Sequence, residues 1–150
     1  MPPRSARLEL AAEPAASREA RQATRSVLQG WQVPAQVVDD ALLVVSELVT
    51  NAVRHAGESS TLELELDQDG SSLRVALADG STESPSPRPA PHAAEGGRGM
   101  TIMAALSDRW GIAPHNGGKQ VWWEVDLGSR YGEPDAASET ARRANVTASA

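Results

Sequence analysis

The period of hydrophobic and polar positions changes several times along the chain. Val37, Val38, Ala41, Leu42, Val44 and Val45 lead into Leu48, Val49, Ala52 and Val53, the spacing of a helix with a broad apolar face. Pro34 suits the first turn of that helix and Gly57 its C-cap, so a helix is predicted from Pro34 to about Ala56. Upstream, Ser17 reads as an N-cap with Glu19 in the first turn. Ala20, Ala23, Thr24 and Val27 form the inner stripe of a helix reaching about Leu28, and Gly30 stops it. The period then drops to two. "TLELELD" turns Leu62, Leu64 and Leu66 one way and Glu63, Glu65 and Asp67 the other, and "LRVALAD" alternates again through Leu73, Val75 and Leu77. "QDGSS" joins the two as an antiparallel hairpin with one wet face. A second hairpin is read from "RWGIAP", the turn "HNGGK" and "QVWWEVDL". There Trp122 and Trp123 are neighbours on a strand and point to opposite faces, one to the core and one to a covered or contact surface.

"RLEL" (Arg7 to Leu10) reads as a short first strand, and "GMTIMAALSD" as a short helix packed through Met100, Ile102, Met103 and Leu106. Between Gly80 and Gly97 the prolines Pro85, Pro87, Pro89 and Pro91 recur at every second residue, which disfavours helix and central strand and suits a functional lid or a disordered segment. The coarse order is β-α-α-β-β-loop-α-β-β. Helices segregated from mainly antiparallel strands predict an α+β fold, a two-layer α/β sandwich whose mixed, mainly antiparallel sheet is covered on one face by helices. One domain over residues 6–127 is expected, with residues 1–5 as a loose tail and 128–150, poor in apolar anchors, as a disordered one.

Composition narrows the function classes. The chain of 150 residues carries a net charge of −6, which disfavours general nucleic-acid binding. Without cysteine, disulfides and thiolate metal sites are excluded. No apolar run reaches membrane-spanning length, and "MPPRSARLEL" lacks the apolar core of a signal peptide, so a cytoplasmic protein is expected. With no Phe and one Tyr, the core must be built from Leu, Val, Ile and Ala.

Against that background "ELVTNAVRHAG" raises a question, because Glu47 and Asn51 interrupt an otherwise apolar helix one turn apart. Burying either without partners costs several kcal/mol. Two readings stay open: an exposed helix edge with an i,i+4 contact, or a ligand site. In a ligand site the carboxylate takes a proton from a hydroxyl and the amide oxygen ligates a hard cation such as Mg²⁺. Arg54 can reach the same side, and His55 suits a helix C-terminus. Asp79, followed by Gly80, is either turn chemistry or a sheet-edge acceptor for an exocyclic amine such as that of adenine. Gly96, Gly97 and Gly99 around Arg98 are either a hinge or an anion cradle at a helix N-terminus. Neither standard phosphate fingerprint is present.

The order of these pieces resembles the GHKL (Bergerat-fold) ATP-binding family over roughly Arg7 to Leu127. "ELVTNAVRHA" is similar to its N box, "ADGS" to its first glycine box and "GGRGMTIM" to its second. The branch it most resembles is the stand-alone anti-sigma-factor serine/threonine kinases. The resemblance implies ATP and Mg²⁺ as cofactors, Glu47 as general base for a substrate hydroxyl, and Asn51 as the Mg²⁺ ligand. It further implies Asp79 on the adenine amine, Arg54 on the nucleotide, and Gly97, Arg98, Gly99 and Met100 lining the phosphates under the lid. The implied partners are a sigma factor and an anti-anti-sigma (STAS) protein, with a homodimer as the assembly and no nucleic acid or membrane. Two positions depart from the family pattern. Ser81 stands where many members have glycine after the adenine-binding Asp, and Glu95 stands where some kinases have arginine, two residues before Gly97. The alternative is therefore a catalytically weak or inactive nucleotide-binding interaction module.

Overall fold

The structure is a computed structural model that describes residues 2–55, 60–79 and 101–128. The Gly57 cap, the Pro-rich segment, the glycine cluster and the expected C-terminal tail from Ser129 onward lie outside the described residues. The elements are β1 (Arg4–Ala11), α1 (Ala16–Gly30), α2 (Ala35–His55), β2 (Thr61–Asp69), β3 (Ser72–Asp79), β4 (Arg109–His115) and β5 (Gly118–Asp126), with residues 101–106 also helical. The strands form one five-stranded sheet in the order β1-β2-β3-β5-β4. Each of its pairings is antiparallel, where the sequence allowed a mixed sheet. The α+β expectation of helices on one face holds.

The two faces follow from the alternation. Leu8, Leu64, Leu77 and Val121 stand in one register row, and Leu10, Leu62 and Asp79 in the next, all on the helix-covered side. Glu63, Glu65 and Asp67 occupy the open side, as their spacing required. The core joins Leu62, Leu64, Leu73, Val75, Trp123 and Val125 of the sheet to Leu28 of α1 and Val37, Val44, Val45 and Val49 of α2. Trp123 is the buried member of the tryptophan pair. Trp122 lies on the open face under the Arg74 guanidinium, 4.9 Å from the ring centroid.

Four expectations at element ends and turns are corrected. Arg4 and Ser5 belong to β1 rather than to a tail, since the pairing with β2 extends to Arg4 opposite Gln68, and Arg4 donates to the Trp31 carbonyl at 3.0 Å. Ser17 is not the N-cap. The helix starts at Ala16 behind Ala15, which supplies no side-chain cap; Ala16, Ala20, Thr24 and Leu28 are buried on one stripe. Apolar burial of Ala16 outweighs the capping preference of the next residue. Gly30 does not end the helix through its own flexibility. The left-handed residue is Gln32 at φ 59°, and Val33 N–H donates to the Leu28 carbonyl while Gln32 N–H donates to that of Gln29. These two bonds form a Schellman closure in which buried Val33 covers buried Leu28. The second hairpin turns more tightly than "HNGGK", at Asn116 and Gly117 alone, both with positive φ.

Candidate functional site

Helix α2 buries Val37, Val38, Ala41, Leu42, Val44, Val45, Leu48 and Val49 against the sheet and α1. At 3.6 residues per turn, Asn51 falls at the border of this apolar face, Glu47 about 40° further out and Arg54 beyond both. Their surroundings grade the same way: Asn51 and Glu47 are half-buried and Arg54 is exposed. The three thus form one polar flank of α2. Neither Glu47 nor Asn51 is sealed in the core, so both can meet a ligand without a prior desolvation cost.

Asp79 ends β3 opposite Leu62, on the helix-covered side of the sheet, and is half-buried. Helix α2 packs on β3. The chain from the last residue of α2 to Thr61, which precedes Leu62, spans at most about 20 Å. The structure therefore brings the α2 flank and Asp79 to one side of the sheet on two packed elements. Gly97, Arg98, Gly99 and Met100 lie outside the described residues. Of their neighbours, residues 101–106 are helical and Met103 is in the core.

A depression of about 170 Å³ touches Asp79 from the other side. Its walls are Glu9, Thr61, Glu63, Ala78, His115 and Asn116, with no α2 residue. Glu9 and Glu63 stand directly opposite each other in the ladder, an arrangement that repels phosphate. This hollow belongs to the open face and not to the α2 flank. Sequence reading missed it because Asn116 was legible only as a turn residue, and cross-strand register was needed to place Glu9 beside Glu63. The same holds for Arg109, which donates to Glu124 and Asp126, each at 2.7 Å through Nη2. Those bonds, to Asp126 first and Glu124 second, raise its pKa above the ordinary arginine value.

The flank's donor set suits Mg²⁺ in kind: an amide oxygen on Asn51 with a carboxylate one turn away on Glu47. Among the described residues no group of three or more His, Cys, Asp or Glu side chains is placed to hold a metal unaided. An ion there would take most of its ligands from phosphate and water, as Mg²⁺ commonly does.

The model of the histidine kinase-like ATPase domain matches residues 10–124. The chain belongs to the histidine kinase-like ATPase family. The match runs from β1 to β5 and includes α2, Asp79 and the segment between β3 and β4. ATP is the nucleotide that the family's description implies. Among solved structures, the fold is shared with part of the chain comprising the RsbU and RsbW domains of Rv1364c from Mycobacterium tuberculosis, at 22% identity and a TM-score of 0.60. That alignment covers 85% of this chain and 33% of the other, so the chain spans about a third of the length of the protein it matches. No match was found among curated proteins.

Proposed function

We propose that this histidine kinase-like ATPase domain is an ATP- and Mg²⁺-dependent serine/threonine kinase of the anti-sigma-factor type. The observation that carries the reading is the polar flank Asn51–Glu47–Arg54 on the same side of the sheet as Asp79, within a fold shared with part of a chain that holds RsbU and RsbW domains. Asp79 accepts a hydrogen bond from the adenine amine, and Arg54 faces the phosphates. Asn51 holds Mg²⁺, which neutralises charge on the phosphate oxygens when bound. Gly97, Arg98, Gly99 and Met100 offer backbone N–H groups and a guanidinium to the phosphate end. Glu47 takes the proton of the substrate serine as its oxygen bonds to the γ-phosphorus and the bond to ADP breaks. The phosphorylated partner is a STAS protein, the sequestered one a sigma factor, the protein works in the cytoplasm, and a homodimer is the assembly.

Labelled ATP, Mg²⁺ and the cognate partner test this directly. Phosphoserine is expected with the unaltered protein and is expected to vanish in Glu47→Ala. Absence of transfer to every cognate partner would remove the kinase claim.

A second reading rests on Glu95, an acid at a place where some kinases of this type carry arginine. It makes the chain a nucleotide-binding interaction module. Calorimetry that finds tight ATP binding without turnover selects it.

A further inference from the structure

The exposed residues of helix α2 are Ala35, Gln36, Asp39, Leu43, Thr50 and Arg54. Leu43 is the one large apolar side chain among them, and it is 45% exposed. Its neighbours in sequence, Leu42 and Val44, are both buried. Leu43, Glu47 and Asn51 stand at i, i+4 and i+8, so they form one ridge of the helix surface. Each step of the ridge is about 6 Å along the axis and about 40° around it. The ridge climbs out of the core in that order reversed: Asn51 at the border of the apolar face, Glu47 half-buried, Leu43 exposed. The proposed chemistry uses the first two and leaves the leucine without a role.

The ridge also has a direction. Asn51 and Arg54 occupy the last two turns of α2, and Asp79 pairs with Leu62, just past the connection that leaves the helix at His55. The residues that the proposed function gives to the nucleotide therefore gather toward the C-terminal end of the helix. In-line transfer puts the attacking hydroxyl on the side of the γ-phosphorus opposite the leaving ADP oxygen. Along the ridge that is the N-terminal side, where Glu47 is followed by Leu43. Helical side chains lean toward the N-terminus of their helix, so Glu47 reaches back over the turn that carries Leu43. A serine that meets the Glu47 carboxylate brings its chain neighbours against the leucine. Two residues of extended chain span about 7 Å, close to one step of the ridge. An apolar side chain placed there removes both surfaces from water, whereas a charged one loses hydration and gains no partner. A second copy seated on the ridge about a two-fold axis sets Asp39 and Glu47 against the same acids of the other chain, which repels.

We infer that Leu43 is a specificity-determining residue for the protein substrate, selecting a partner whose phosphoacceptor serine has an apolar side chain within two residues of it in the chain. The inference rests on the kinase reading and deepens it. The leucine takes part in capture of the partner and not in the chemistry. It therefore acts on KM for the partner and leaves kcat and ATP affinity unchanged.

Steady-state transfer from ATP with Mg²⁺ to the cognate partner tests this with the full chain. Leu43→Asp is expected to raise KM for the partner about tenfold and Leu43→Ala by less, with kcat and the ATP-induced thermal shift as in the unaltered protein. Asn in place of the apolar residue beside the partner's serine is expected to raise KM similarly, and to add little in the Leu43→Asp background. Circular dichroism checks the fold, and the alanine variant carries the test if the aspartate one does not fold. Unchanged KM while transfer proceeds overturns the inference and leaves the kinase reading standing. A phosphorylated serine with no apolar residue within two positions does the same, as does a fall in kcat alone or a sedimenting dimer that Leu43→Asp dissolves. Absence of transfer by the unaltered protein removes the kinase reading and the inference with it.

Discussion

Asp79 stands opposite Leu62 in the β2–β3 ladder, and Leu62 is fully buried. The alternation Leu73, Val75, Leu77, Asp79 thus ends an apolar row with a carboxylate on the helix-covered side. The proposed function gives this half-buried carboxylate the adenine amine as its donor. Asp79→Asn keeps the size and the ladder but turns a pure acceptor into a mixed donor. It is expected to weaken ATP binding by about tenfold or more, the scale of one hydrogen bond to a charged group at about 1.5–3 kcal/mol. Calorimetry measures the affinity, and the melting midpoint without nucleotide checks that the fold is kept. Unchanged affinity would take Asp79 out of the site.

Glu47 sits farther from the buried face of α2 than Asn51, and the two are expected to fail differently when altered. Glu47→Gln removes the proposed base and, if that role holds, is expected to lower phosphoryl transfer by about 10²–10⁴-fold while ATP binding persists. Asn51→Ala is expected to remove the Mg²⁺ dependence of ATP binding. Single-turnover phosphorylation and thermal-shift titrations with and without Mg²⁺ separate the two effects. Loss of nucleotide binding in Glu47→Gln would contradict its assignment as base.

What was legible in the sequence was what local periodicity encodes. The alternation through Leu62, Leu64 and Leu66 fixed a half-buried strand, and the broad apolar face of α2 fixed the helix that covers it. The polar flank was legible because Glu47, Asn51 and Arg54 share a helix. Pairing across the sheet was not. That Glu9 meets Glu63, or that Arg109 meets both Glu124 and Asp126, depends on register between distant strands. Element ends were also hidden, because Ala16 is chosen by burial and Gln32 adopts the left-handed turn that Gly30 would have taken more easily.

Gly111 lies beneath Trp122 on the open face. A Cβ built there would stand 2.8 Å from the indole ring, so Gly111→Ala forces the ring off its seat beneath Arg74. The expected loss is about 1–3 kcal/mol, as for other overpacking substitutions. In a Trp122→Val background the ring is gone and the same substitution is expected to cost little. The non-additivity, read from urea melts of the four proteins, measures the coupling. Equal costs in the two backgrounds would show that Trp122 does not set the requirement for glycine.

Arg109 ties β4 to β5 through Glu124 and Asp126, yet its side chain is 45% exposed, so solvent screens much of the attraction. Arg109→Gln is therefore expected to cost at most about 1 kcal/mol. The pH dependence has a definite sign. A cation whose folded pKa is raised contributes in full below its unfolded pKa and loses that contribution only as pH climbs past the folded one. For arginine both values lie far above neutrality, so the stability difference between Arg109 and Gln is expected to be flat between about pH 6 and 9. It should shrink in high salt, as an exposed ion pair does. Chemical denaturation of both proteins across that range and at two salt concentrations reads the difference directly. A slope between pH 6 and 9 would assign the pH-sensitive part of this contact to some group other than the guanidinium.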